Sequence, residues 1–310
     1  MEKEIEISVL MLAYNHERYI RQAIDSILSQ NINVPYEIII HDDVSTDGTR
    51  QILYEYKKKY PDIIKLLIRK EKAKSVTYAV CQIFKAARGK YIAWCDGDDY
   101  WIDNNKLQLQ YDFMENHKNY VSVAHDKIIV DEDGKEIFDK KDKLTYQWRG
   151  DYSLENYWYS GRLPGQSSTM FSRNVYKEEN LSWICKAHHM MADKSTILVS
   201  LLHGNIYRMD GKMSARRLIR KKDGESWNSI VLHLDADYEQ LRMITYQLFW
   251  FERRTKNYSM VSNKWKSMMS RSVKSVMKGR SNVAIRKKII LCLRILLGVV
   301  NNQVMCNISK

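Results

Sequence analysis

The chain of 310 residues has only 3 prolines and 12 glycines, too few for long disordered or collagen-like stretches. Its 5 cysteines (Cys81, Cys95, Cys185, Cys292 and Cys306) are widely spaced, odd in number and free of any C-x-x-C pair. Their scatter predicts buried free thiols in a reducing compartment. No apolar segment precedes a cleavage site at the N-terminus, because acids enter at Glu2 and Glu4, and the expectation is a cytoplasmic protein. The longest apolar run of the tail, 289–300, is broken by Arg294 and Gly298 and is too short for a confident membrane span. Acidic residues stop at Glu252, after which 14 Lys and Arg follow. Residues 211–310 carry 21 basic and 6 acidic side chains, against 29 and 31 in residues 1–210, so the net charge of +13 belongs to the C-terminal third. Such asymmetry implies an anionic partner there. No nucleic-acid module accompanies it, which favours a membrane surface.

The first 130 residues alternate between strand and helix patterns. Apolar runs at 5–13, 36–40, 63–68 and 90–95 read as buried strands. Between them, 17–29, 49–60 and 76–87 read as helices, the second ended by Pro61. A helix over 106–115 and a strand over 120–130 follow. Repeated β-α-β units predict an α/β fold, a mostly parallel central sheet with helices on both faces. Ligands of such sheets bind at the carboxyl ends of the strands, where two acidic segments fall: Asp42-Asp43, and Asp96-Gly97-Asp98-Asp99.

Three carboxylates within four residues repel one another unless protons or a cation intervene. A hard divalent ion, Mg²⁺ or Mn²⁺, shared with substrate phosphates is the natural counter-ion, and its task there would be to neutralise a leaving diphosphate. Gly97 is expected to let the backbone turn tightly between the carboxylates. The same residues would also serve as a solvated turn before a helix. Asp42-Asp43 could accept hydrogen bonds from a base or ribose, while Ser45, Thr46 or Asp47 caps the next helix.

These segments resemble the inverting glycosyltransferases of family 2, which have the GT-A fold. The resemblance is carried by Ser8–Asn15, by Asp42-Asp43-x-Ser45-Thr46-Asp47-Gly48-Thr49, and by Gly89–Ala93 followed by Asp96-Gly97-Asp98-Asp99-Tyr100-Trp101, with Lys106-Leu107-Gln108 beyond. It implies that Ala13, Tyr14 and Asn15 lie against the nucleotide. Asp43 would bond the base, commonly uracil. Asp98 would approach the ribose or the metal, and Asp99 would bind the metal. Val44 stands where Gly is usual, and Lys72–Ser75 lacks a frequent Asn-x-Gly. The catalytic base of the family matches Asp193, before a helix expected at 194–202; an Asp there also serves as a helix cap. Adjacent His188 and His189 read as loop or acceptor-contact residues, and Pro164-Gly165-Gln166-Ser167-Ser168-Thr169 resembles the family's acceptor-side loop, or is a plain turn into a strand. Arg216, Arg217 and Trp227 flank a basic stretch that would close over the diphosphate, or be a solvated loop. The Gln-x-x-Arg-Trp motif of processive members is absent, which favours single-sugar transfer.

The expected organisation is a GT-A catalytic domain over 1–230 and a basic helical region over 231–310. In the latter, Val261, Trp265, Met268, Met269, Val273 and Val276 share one helical face. An in-plane amphipathic segment on the inner face of the cell membrane is expected, with packing on the catalytic domain or a homo-oligomer contact as alternatives. The expected function is metal-dependent transfer from a nucleotide-diphosphate sugar, UDP-sugar first, to a lipid-linked oligosaccharide or surface glycan. A sugar nucleotidyltransferase, or a non-catalytic scaffold of the same fold, is the alternative. The former needs a Gly-rich basic N-terminal loop, which Leu10–Asn15 does not offer.

Overall fold

The computed structural model describes residues 4–140, 148–160, 162–189, 192–219, 236–277 and 283–308. It divides into two units, 1–218 and 219–310. The boundary expected at 230 lies outside the described residues.

The first unit opens with β1 (Ile7–Ala13), α1 (Ile20–Leu28), β2 (Tyr36–Asp42), α2 (Thr49–Lys59), β3 (Ile64–Ile68), α3 (Val76–Ala86) and β4 (Tyr91–Trp94). β1 is buried at nearly every position, as a strand covered on both faces must be. The amphipathic spacing of α1 buries Ile20, Ala23, Ile24 and Ile27. Ser75 caps α3 by accepting the Tyr78 N–H at 3.1 Å, which satisfies a first-turn donor that has no partner within the helix. Then come β5 (Tyr100–Trp101), α4 (Lys106–Asn116), β6 (Tyr120–Val130), β7 (Gly150–Tyr152), α5 (Leu154–Tyr159), β8 (Phe171–Arg173), α6 (Glu178–Ala187), α7 (Ala192–Leu201) and β9 (Asn205–Arg217).

The sheet order is β3-β2-β1-β4-β8-β6-β9-β5, with β7 on β9. The first four strands are parallel, β8 runs antiparallel to β4 and β6, and β6 and β9 are parallel again. The chain winds outward from β1 to β3, then returns to place β4 on the other side of β1. That reversal opens a crevice at the carboxyl ends of β1 and β4. Residues 13–16 leave β1 there and Asp96–Asp99 leave β4 there.

The cysteine expectation needs correction. Cys81 of α3 and Cys185 of α6 are paired as a disulfide, with Cα atoms 6.2 Å apart, while Cys95 and Cys292 are free. The two partners are 104 residues apart in the chain, and only the packing of α3 against α6 brings them together.

The second unit contains α8 (Ala236–Thr255), α9 (Tyr258–Met277) and α10 (Ile285–Ile308), which pack on one another. Val261, Trp265 and Met268 of the expected apolar face are fully buried. The Trp265 indole donates to Glu252 at 2.5 Å. A Cβ on Gly298 would lie 2.6 Å from Cζ2 of Trp265, so a glycine lets α10 seat on the indole. No described helix is long and apolar enough to cross a membrane.

Candidate active site

Asp96–Asp99 turns back on itself through the Asp99 N–H, which donates to the Asp96 carbonyl at 3.0 Å. Gly97 is tied to the end of β1 by its N–H on the Leu12 carbonyl, 3.0 Å. Its role differs from the expected one. Its φ is not in the left-handed region, but a Cβ would stand 2.6 Å from His16 Nδ1 and 2.8 Å from Ile20 Cδ1. Close approach, and not turn freedom, requires glycine there.

The three carboxylates of this segment have different surroundings. Asp99 is 4% exposed, and its Oδ1 accepts the Arg217 N–H at 2.9 Å. Burial pushes its pKa well above the carboxylate range, with Asp98 and Asp96 adding to the rise and the Arg217 N–H and Arg216 opposing it. Asp96 is pushed up to about 7, first by burial, then by Asp98, with Asp193 adding and Arg216 opposing. No described residue donates a hydrogen bond to the carboxylate of Asp96 or Asp98. A cation binding there would remove the repulsion that the fold leaves in place. The donor set is all oxygen, as Mg²⁺ or Mn²⁺ requires.

Asp193 is thereby placed electrostatically within reach of Asp96, although 97 positions separate them in the chain. It lies inside the first turn of α7, not before the helix, and its Oδ1 accepts the Lys194 N–H at 2.9 Å. The segment leading to α7 is held by α3: Thr77 donates its hydroxyl to the His188 carbonyl at 2.5 Å and its N–H to the His189 carbonyl at 3.2 Å. The two histidines thus position the approach to Asp193 through their backbone.

Arg217, expected over a diphosphate, is corrected by its surroundings. It ends β9, is 5% exposed, and donates to the carbonyls of Asp98, Asp131 and Glu132 and to Gln22 at 2.8–3.1 Å. Its guanidinium also lies over the Tyr19 ring, 4.6 Å from the centroid. Arg217 fixes the acidic turn from behind. Arg216, beside it on β9, acts electrostatically on Asp96 and Asp99. Trp227 lies outside the described residues.

At the end of β2 the two aspartates also differ. Asp42 is fully buried, paired with Arg50 Nε at 2.6 Å, and accepts the Ser45 N–H at 3.3 Å. Asp43 stays partly open. Its N–H donates to the Ala13 carbonyl at 3.0 Å, and its Oδ1 accepts the Ala73 N–H at 2.6 Å, with Arg69 Nε 3.9 Å away. Lys72 donates to the Tyr14 hydroxyl at 2.7 Å. Asn15 laces the β1 and β2 ends together: its backbone N–H donates to Ser45 Oγ at 3.0 Å and its side-chain Oδ1 accepts the Thr46 N–H at 2.8 Å. The Asn15 side-chain oxygen is therefore committed to the loop, with Ala13, Tyr14 and Asp43 left around the crevice. Arg69 and Lys72 at this rim were not anticipated, since no local pattern distinguishes them from surface cations. On the far side, Arg208 donates to the Pro164 carbonyl and to Asp126, and so holds the Pro164-Gly165-Gln166 loop.

The family model of glycosyl transferase family 2 matches residues 8–181. An uncharacterized protein of Mycobacterium tuberculosis is 28% identical over 294 aligned residues, covering 79% of this chain and 84% of the relative. The Escherichia coli UDP-Glc:alpha-D-GlcNAc-diphosphoundecaprenol beta-1,3-glucosyltransferase WfaP is 34% identical over 140 residues, 45% of this chain and 53% of WfaP. Among solved structures, S. aureus TarS 1-349 in complex with UDP-GlcNAc superposes with a TM-score of 0.56 at 15% identity, over 96% of this chain and 89% of that one. The Pyrobaculum calidifontis mannosyltransferase PcManGT, in complex with GDP-Man and Mn²⁺, gives 0.51 at 12% identity, over 97% and 88%. The mixed sheet, the acidic turn at its switch point and a family match over more than half of the chain agree, and the chain belongs to glycosyl transferase family 2, with the GT-A fold.

Proposed function

We propose that this glycosyltransferase moves one sugar, with inversion, from a nucleotide-diphosphate donor to a hydroxyl of a lipid-linked or surface-glycan acceptor. The observation that carries the reading is the acidic turn Asp96–Asp99 at the switch point of the sheet, where the Asp96 and Asp98 carboxylates have no described hydrogen-bond donor; Asp193, from a distant segment, adds to the rise in the Asp96 pKa and Arg216 opposes it. Asp98 and Asp99 would hold Mg²⁺ or Mn²⁺. The bound ion would supply positive charge against the leaving diphosphate. Asp193 accepts the proton of the acceptor hydroxyl as that oxygen attacks the anomeric carbon. The bond from that carbon to the diphosphate oxygen breaks, and its electron pair leaves with the nucleoside diphosphate. Asp43 and Tyr14 receive the base, and Ala13 lines the floor beneath it.

UDP-sugars lead the donor reading because TarS was solved with UDP-GlcNAc, although PcManGT was solved with GDP-Man. A lipid-linked acceptor is supported by the diphosphoundecaprenol in the name of WfaP. Such acceptors place the work on the inner face of the cell membrane, and the run of basic residues after Glu252, with no acidic residue among them, supports an anionic surface there. The test is a donor screen with Mn²⁺ or Mg²⁺ that reads nucleoside-diphosphate release and donor binding. Release with one donor class is expected; neither release nor binding with any donor would sink the proposal.

A further inference from the structure

α10 has two apolar faces, and only one is covered within its unit. Leu291, Ile295 and Gly298 are buried on one side, with Gly298 against Trp265. Ile285, Ile289, Leu293, Leu296, Leu297 and Val300 are 44–68% exposed. At 3.6 residues per turn these six fall within about 120° of the helix circumference, opposite the buried side, and run for about 22 Å along it. Ile290 extends the stripe at its edge, 42% exposed. Isolated exposed leucines need no explanation, but a continuous stripe of this length does.

Charge decides what covers it. Arg286 is exposed within the arc at the first turn of α10, Lys287 and Arg294 are exposed along one side of it, and Lys256, Lys266 and Lys274 are exposed in the preceding segment. Neither α9 nor α10 contains an acidic residue. A second copy meeting this face about a two-fold axis would bring the same cations against one another with no carboxylate in either helix to pair them. An anionic phospholipid leaflet offers acyl chains for the stripe and phosphates for the cations at its first turn and along its one basic side. α10 also fails the length and hydropathy that a crossing would need, so it would lie in the plane of the leaflet.

We propose that the face of α10 from Ile285 to Val300 docks flat on an anionic phospholipid leaflet, with Arg286, Lys287 and Arg294 at the headgroups. This deepens the membrane-surface reading above and rests on it only for lipid as the occupant.

The test is co-sedimentation of the full chain with vesicles of phosphatidylglycerol and phosphatidylcholine in equal parts, against phosphatidylcholine alone. The parent chain is expected to prefer the anionic vesicles, with affinity falling as salt rises. Leu293→Asp with Leu297→Asp should weaken binding on the order of a hundredfold, and Leu293→Gln with Leu297→Gln provides a milder pair should the charged one misfold. Arg286→Glu with Lys287→Glu and Arg294→Glu should remove the preference for phosphatidylglycerol. Undiminished binding by both leucine pairs, or no binding by the parent, overturns the proposal. So does a parent dimer in light scattering that the leucine pairs dissolve without any vesicle binding. UDP binding, read by calorimetry on every variant, separates the two readings. Intact UDP binding without vesicle binding removes the docking face and leaves the transferase site standing. Vesicle binding by a parent that binds no nucleotide does the reverse.

Discussion

At the end of β2, Asp42 is buried against Arg50 and the Ser45 N–H, which its two carboxylate oxygens share, and Asp43 is held by the Ala73 N–H. At the end of β4, the side-chain carboxylates of Asp96 and Asp98 take no hydrogen bond from a described residue, and the Asp96 pKa is raised to about 7 by burial and by its acidic neighbours. Both pairs occupy equivalent places on parallel strands. What separates them is the neighbourhood that the rest of the chain supplies. The β2 pair has its counter-charge built in, so Asp42 holds the loop while Asp43 stays partly open. The β4 cluster has no ion pair of that kind at Asp96 or Asp98, and a cation there would relieve the repulsion. Strand-end carboxylates therefore signal a site, and the surrounding donors tell which of them is structural.

Replacing one carboxylate of the β4 cluster should produce the largest effect. Asp98→Asn is expected to reduce transfer roughly a thousandfold, and to abolish the Mn²⁺ or Mg²⁺ dependence of donor binding in calorimetry. Near-parental activity would mean that the cluster does not hold the ion. Asp193→Asn separates chemistry from binding. Its side chain can still accept the Lys194 N–H, so α7 should persist while kcat falls about 10²- to 10⁴-fold. Donor KM should remain near that of the parent. A matching rise in donor KM would place Asp193 in binding instead of proton removal.

The parallel half of the fold was legible because its strands and helices alternate in long periodic runs. β1, α1, β2, α2, β3, α3 and β4 fall within a few residues of their expected limits. β9 was not, although it is one of the longest strands. Its sequence carries Asp210 and Gly211 in the middle, and its register against β6 shifts at Ala124/Asp126 and Asp126/Lys127, which breaks the period-two pattern. Arg216 and Arg217 consequently read as loop residues, when they end a strand and one of them braces the acidic turn. The pairing of Cys81 with Cys185 was equally hidden, because it depends on how two helices pack. Around the candidate site, the strand-end positions of Asp96–Asp99 and Asp43 were legible in the pattern, whereas the contacts of Arg50, Arg69 and Arg217 depend on residues up to 195 positions away.

Asp42→Asn tests the opposite side of the comparison. It should destabilise the fold by about 2–3 kcal/mol, below the range for fully buried pairs, because Arg50 is 30% exposed and water can compensate it. Metal affinity should not change. Thermal unfolding with and without Mn²⁺ checks this: an altered metal-induced shift in Tm would show that the two acidic segments are coupled.

The smallest expected effect lies at the residue that follows this pair. Val44 has a φ of +66°, a left-handed conformation that is unfavourable for a β-branched residue. The loop enforces it from both sides, since Asp43 N–H is tied to Ala13 and Ser45 N–H to Asp42. The valine thus keeps the glycine-like backbone where family members usually have Gly. Val44→Gly should remove about 1–2 kcal/mol of steric strain and add about 0.5–1 kcal/mol of unfolded-state entropy, for a net gain of about 1 kcal/mol or less. Denaturant unfolding measures that gain. If donor KM rises at the same time, the strain at Val44 serves to hold Asp43 in its binding orientation; if KM is unchanged, the hydrogen bonds on either side suffice.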